Sequence, residues 1–201
     1  LFLTTEKRHD TLKIYPKTIK SWEHFKDVVK VIIKGKHDFE TIVIDTVDLL
    51  FKSCSDTVCE NLGIDHVSDE AWGKGYDMIA NEFEREINKL FLTDYGIIFI
   101  SHTKTQDLTN ISGKYTKIVP TLSNIGRRVL LPKVSVIGYM KLKSVKIDKN
   151  HYEERRVISF EPSEYIEAGD GDGYLPRELP VYRDAKKTFA LFKKYYDKKG
   201  G

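Results

Sequence analysis

Thr41-Ile42-Val43-Ile44-Asp45-Thr46-Val47-Asp48-Leu49-Leu50 opens as a run of β-branched residues, too short for a helix and apolar on both faces. That pattern is a central strand of a parallel sheet. The run stops abruptly at Asp45-Thr46. A carboxylate at the carboxyl end of such a strand lies where open α/β sheets bind their ligands. The bland alternative is a strand-end Asp that caps the next turn, a common use of that residue.

Upstream, residues 17–34 place Ile19, Trp22, Phe25, Val28, Val29, Ile32 and Ile33 at helical spacing, and Gly35 stops the pattern. Helix then strand is half of a βαβ unit. Leu1-Phe2-Leu3-Thr4-Thr5-Glu6 reads as another strand ending in an acid. Glu6 is either a surface residue at a strand exit or a carboxylate beside Asp45 on the same sheet edge.

Downstream, residues 53–75 are polar, carry Gly63, Gly73 and Gly75, and show no clean periodicity. A long excursion with at most one helical turn is expected there, and such loops are often functional. Trp72, Tyr76, Ile79, Phe83, Ile87 and Leu90 then form one apolar stripe, with Asp77, Glu82, Glu84, Arg85 and Lys89 facing outward. Ile97-Ile98-Phe99-Ile100-Ser101-His102 is the second buried strand, and His102 shares the edge of Asp45 if the two strands are parallel.

Residues 103–123 are rich in Thr, Ser, Asn, Lys and Gly, and a mobile loop is expected. Residues 123–131 suit a short helix carrying Arg127 and Arg128. Residues 134–143 and 155–160 are strand-like and joined through Asp148-Lys149-Asn150-His151, so an antiparallel hairpin should extend the sheet at one edge. Residues 164–168 suit a short strand, residues 169–173 a flexible turn, and residues 185–201 a terminal helix and tail. One α/β domain over 1–201 is expected: a mostly parallel central sheet flanked by helices.

Hydrophobic content is 40% and charged content 31%, the composition of a globular chain. Net charge is only +3, so overall composition does not announce nucleic acid. The distribution says more. Lys104, Lys114, Lys117, Arg127, Arg128 and Lys133 face a single acid, Asp107, so this short segment carries net +5. Phosphate backbones are bound by such local basic surfaces, although a solvated loop fits equally. Two cysteines, Cys54 and Cys59, are too few for a disulfide framework, and their spacing lacks the second pair of a zinc site. With no signal peptide visible, a reduced, cytoplasmic protein is expected. No apolar run approaches the roughly 18 residues of a membrane span.

Several of these motifs resemble RecA-type P-loop ATPases. Ile42-Val43-Ile44-Asp45-Thr46-Val47 is similar to the Walker B strand, whose Asp holds Mg²⁺ through water. Leu1 to Glu6 resembles the preceding strand, which ends in the glutamate that activates water. Ile98-Phe99-Ile100-Ser101-His102 resembles the later strand, where RecA carries a glutamine sensing the γ-phosphate. Tyr165-Ile166-Glu167-Ala168 and Gly173-Tyr174-Leu175-Pro176 resemble the C-terminal part of bacteriophage RecA-like ATPases that assist single-strand annealing and recombination. Two departures stand out. No G-x-x-x-x-G-K-[ST] run occurs, and in the family the P-loop lies just upstream of the strand that begins this chain, so a preceding strand and P-loop are expected. The segment 169–173 offers aspartates where relatives often have a basic residue reaching a neighbouring subunit, which leaves Lys141, Lys143 and Arg177 as weak candidates for that role.

The resemblance implies ATP and Mg²⁺ as cofactors. Glu6 and His102 would be catalytic, Asp45 and Thr46 would serve the metal, and Asp45 and His102 the nucleotide. Single-stranded DNA would meet Lys104, Lys114, Tyr115, Lys117, Arg127 and Arg128, with lysines on the backbone and Tyr115 as a stacking platform. A homo-oligomer, filament or ring, is implied, with a phage single-strand-binding protein as a further partner, no membrane, and the cytoplasm of an infected bacterial cell as the setting. The alternatives are a RecA-fold motor of the helicase or clock-protein type and a non-hydrolysing binding module.

Overall fold

Short β-branched runs and long amphipathic stripes alternate along the first hundred residues, and they fold as layers of one parallel sheet and its helices. The computed structural model describes residues 1–6, 14–69, 73–111, 113–148 and 151–197. The chain divides into two compact units, Leu1–Thr103 with Pro120–Pro132, and Lys104–Val119 with Lys133–Gly201.

The first unit holds a four-stranded sheet, β1 (Phe2–Thr4), β2 (Pro16–Thr18), β3 (Thr41–Asp45) and β4 (Gly96–Ile100), in the order β2-β1-β3-β4. All three pairings are parallel. Leu3, Ile42 and Ile44 are buried in its core. Helix α1 (Trp22–Ile33) starts where the Ser21 hydroxyl accepts from the His24 amide, and it buries Trp22, Phe25, Val28, Val29 and Ile32. Gly35 follows it at φ 66°, a left-handed position that glycine adopts without penalty. The rings of Trp22 and Phe51 lie 5.9 Å and 5.0 Å from that of Phe83, so α1, α2 (Val47–Leu62) and α3 (Lys74–Phe91) meet around one aromatic cluster. The Trp22 indole N–H donates to Glu82 at 2.9 Å and binds α1 to α3.

The expected loop over 53–75 is corrected: α2 continues to Leu62 and stops at Gly63, φ 67°. Its buried side is Val47, Leu50, Phe51, Cys54, Val58 and Cys59, a helical stripe in which cysteines stand for aliphatic residues. A 3₁₀ turn, Val67–Asp69, follows. On α3, Ile79, Phe83, Ile87 and Leu90 are buried as the stripe requires, but Tyr76 is exposed, and Trp72 lies outside the described residues. The three residues of β2 are all exposed and gave no apolar signal. The short helix α4 (Asn124–Leu130) is capped by the Ser123 hydroxyl.

Strand pairing in the second unit is mostly antiparallel. Instead of a mobile loop, residues 103–110 and 113–120 form β5 (Thr103–Asn110) and β6 (Gly113–Pro120), which pair with each other. Gln106 and Leu108 on β5, and Tyr115 on β6, alternate with exposed neighbours, whereas Lys117 to Pro120 are all half-buried or buried. The later hairpin, β8 (Tyr139–Lys146) with β9 (Tyr152–Ser159), forms as expected. It does not extend the central sheet. Its third strand is β11 (Glu178–Pro180), beside β9, because Leu179 is completely buried there. The flexible turn expected at 169–173 begins instead as β10 (Gly169–Asp170), paired with β7 (Val136–Ile137). Residues 164–168 contribute a single bridge, Ile166 to Ile118. Helix α5 (Ala185–Tyr196) is capped by the Asp184 carboxylate, which accepts from the Lys186 amide at 2.9 Å.

Candidate functional site at the carboxyl edge of the parallel sheet

The register of the central strands aligns Thr4 with Asp45 and Asp45 with Ile100. Glu6 therefore lies two residues past the end of β1, and His102 two residues past the end of β4, both on the edge where β3 ends in Asp45. The three sequence-derived positions fall at the carboxyl ends of three neighbouring strands, where side chains from separate strands can serve one ligand.

Threonine hydroxyls hold the strand exits together. The Thr46 amide donates to the Thr5 hydroxyl at 2.9 Å, and the Thr5 amide donates to the Asp45 carbonyl at 2.8 Å. The Glu6 amide donates to the Thr4 hydroxyl at 3.1 Å. The Asp45–Thr46 peptide bond is cis. Thr46 is the N-cap of α2, but its side chain makes no capping bond. That hydroxyl is buried and has no hydrogen-bond partner among the described residues. Buried polar atoms are almost always satisfied, so this hydroxyl is open to a water or to an oxygen of a ligand.

One residue that sequence reasoning passed over joins this edge. Asp48, in the first turn of α2, accepts from the Ser101 hydroxyl at 2.5 Å and from the His102 amide at 3.0 Å. Its carboxylate is also 3.6 Å from His102 Nδ1. The His102 carbonyl accepts from the Thr121 amide at 2.8 Å. No local pattern identifies an acid whose partners are more than fifty residues away.

The basic residues are divided between the two units. Lys104, Lys114, Tyr115 and Lys117 belong to the β5–β6 hairpin of the second unit, whereas Arg127 and Arg128 belong to α4 of the first. Lys104 and Lys114 are exposed. Lys117 pairs with Glu167 at 2.9 Å. Arg127 bonds to Asn124, and Arg128 lies 3.8 Å from Asp77. Lys141 and Lys143 both hold Glu178, and hydrogen bonds from Lys143 and then Lys141 keep that carboxyl below the usual glutamate value. Arg177 lies 3.4 Å from Glu161.

A four-stranded parallel sheet flanked by helices, with polar residues at the carboxyl ends of its strands, is consistent with the α/β fold of P-loop nucleoside triphosphatases. The chain belongs to the AAA-domain family, whose profile matches residues 1–171. The family is of ATPase type, so nucleotide, commonly with Mg²⁺, is its ligand class. Asp45 and Thr46 offer hard oxygen atoms of the kind that suit magnesium, and the Thr46 hydroxyl has no partner among the described residues. Among the described residues no group of three or more His, Cys, Asp or Glu gathers as a metal site on its own. The chain is also similar to an uncharacterised SPbeta prophage-derived protein, YorG, of Bacillus subtilis strain 168, with 31% identity over 113 residues, 53% of this chain and 35% of that protein. The chain thus spans about a third of that relative's length. No solved structure matches. No helix among the described residues is long and apolar enough to cross a membrane.

Proposed function

We propose that this chain is the RecA-like core of an ATPase that acts on single-stranded DNA in phage recombination or annealing. The observation that carries the reading is the alignment of the β1, β3 and β4 exits, which puts Glu6, Asp45 and His102 on one edge beside the unsatisfied Thr46 hydroxyl. Magnesium, when bound, neutralises phosphate oxygens. Asp45 would hold it through water, with Thr46 supplying a further oxygen. Glu6 would orient the attacking water and take its proton. His102 would contact the terminal phosphate. No G-x-x-x-x-G-K-[ST] run lies within these 201 residues, so a phosphate cradle of that kind would have to come from sequence outside them. Lys104 and Lys114, exposed on the β5–β6 hairpin, would meet the DNA backbone, with Tyr115 half-buried between Lys114 and Lys117. A filament or ring of copies in the cytoplasm of an infected cell, working with a phage single-strand-binding protein, completes the proposal.

The test is Glu6→Gln in the full-length protein. Turnover should fall by roughly 10²–10⁴-fold, the usual contribution of a general base, while a fluorescent ATP analogue still binds. A variant that hydrolyses ATP at the wild-type rate moves the base elsewhere. Wild-type protein with no DNA-stimulated turnover removes the DNA part of the reading.

A further inference from the structure

We propose that Asp48 is the positioning residue for His102, fixing the backbone and ring that meet the terminal phosphate; the inference rests on the ATPase reading above. An acid in the first turn of a helix ordinarily serves that helix, through its free amides and its dipole. Asp48 does something else. Its two oxygens are bonded to the end of a different element, one to the Ser101 hydroxyl at 2.5 Å and the other to the His102 amide at 3.0 Å. Its side chain is only 13% exposed, and the bond to Ser101 is part-buried, whereas the charge-assisted bond to the His102 amide lies at an exposed strand exit.

His102 is pinned from the other side as well. Its carbonyl accepts from the Thr121 amide at 2.8 Å and the Thr121 hydroxyl at 3.3 Å. Backbone donor and acceptor are both committed, yet the imidazole is 59% exposed. A fixed backbone under an open ring is how a side chain is presented to a ligand, since ordering the ring on binding then requires little further entropy. The Asp48 carboxylate, 3.6 Å from Nδ1, faces one ring nitrogen and leaves Nε2 for the ligand. Asp48 also sits three residues after Asp45, on the helix that begins at the end of β3. The element that follows the metal-binding acid thereby sets the place of the phosphate contact.

The experiment uses full-length protein, with Asp48→Ala, Asp48→Asn, His102→Ala and the Asp48→Ala/His102→Ala double variant. ATP turnover and amide hydrogen exchange over residues 101–103 are read together. In Asp48→Ala, kcat should fall about tenfold or more, as for loss of a charge-assisted bond, with KM within about twofold of wild type. The double variant should be no worse than His102→Ala, because Asp48 acts through that residue. Asp48→Asn, which keeps an acceptor for the His102 amide, should recover kcat to within about threefold of wild type. Exchange at 101–103 should rise about tenfold in Asp48→Ala and stay near wild type in Asp48→Asn.

Additive losses in the double variant, an unchanged kcat in Asp48→Ala, or Asp48→Asn as impaired as Asp48→Ala each overturn the positioning role. Failure of the broader reading looks different. Wild-type protein that does not hydrolyse ATP, or His102→Ala that turns over normally, overturns the phosphate contact itself. In that event unchanged exchange in Asp48→Ala shows that the anchor is absent too.

Discussion

The carboxyl edge of the parallel sheet and the basic surfaces of the antiparallel unit handle their polar groups in opposite ways. At the edge, Asp45, Thr46 and Asp48 rise from a scaffold of fully buried Leu3, Ile44 and Leu50, and strand exits are tied to one another by short bonds. In the second unit, lysines from exposed strands are met by acids: Lys141 and Lys143 by Glu178, and Lys117 by Glu167. The difference teaches that charge counted along a sequence is not charge available in space. The segment that holds six cations against one acid is divided between two units, and Lys117 on its hairpin is paired with an acid from outside it.

The strongest way to break the contrast is to remove the scaffold beneath the edge. Phe83→Ala deletes a ring that is completely buried and touches the rings of Trp22 and Phe51. It should cost about 3–5 kcal/mol in chemical denaturation. A loss under about 1 kcal/mol would mean that the aromatic cluster does not support the sheet edge.

The second unit should respond far less in stability and more in binding. Glu178→Gln should cost no more than about 1 kcal/mol, as partly exposed ion pairs do. It frees Lys141 and Lys143, so the salt slope for a single-stranded oligonucleotide should steepen by up to about 1.4 if both reach phosphates. The acid limb supplies a control. The folded Glu178 carboxyl is held below its ordinary value of 4.5, so its contribution is complete above that pH and is lost as pH falls through the lower folded value. Wild type and Glu178→Gln should therefore converge in stability in acid and differ most near neutrality.

The smallest effect separates Lys117, paired with Glu167, from the exposed Lys104 and Lys114 on one hairpin. Lys104→Ala/Lys114→Ala should reduce the salt slope by about 1.4, at about 0.7 for each phosphate neutralised on a single strand. Lys117→Ala should change it by clearly less than about 0.7, because Glu167 already holds that cation. Equal slopes in the double variant and wild type would move the DNA surface off this hairpin.

Strands β3 and β4 were legible because Ile42-Val43-Ile44 and Ile97-Ile98-Phe99-Ile100 are apolar runs bounded by polar exits, but the burial expected of the second run is corrected: β4 is the edge strand of the described sheet, and Ile98 and Ile100 are exposed. Parallel pairing then put Asp45 and His102 on the same edge without further information. Helix α2 was hidden because its buried stripe runs through Cys54 and Cys59 amid Ser53, Asp56 and Thr57. Hairpin β5–β6 was hidden because a two-stranded sheet with few buried residues is held mainly by backbone pairing, which side-chain pattern does not record. The destination of β8 and β9 was missed for a related reason: three residues, Glu178 to Pro180, supply the third strand, and a run that short carries no periodicity. Asp48 was visible as a residue and invisible as a partner, since its bonds to Ser101 and His102 exist only once β4 lies beside β3.

The cysteine face of α2 has a chemical consequence. Cys54 and Cys59 are the only thiols in the chain, both free and both buried on that one helix. Burial pushes the Cys54 thiol far above its ordinary range and raises that of Cys59. Alkylation proceeds through the thiolate, so both thiols should react slowly in the folded helix and faster whenever it opens. Cys54 has no exposed surface, whereas Cys59 keeps 9%. The two sulfurs thus form a two-handed clock: Cys59 times fraying of the helix end near Gly63, and Cys54 times its release from the aromatic cluster that supports the sheet.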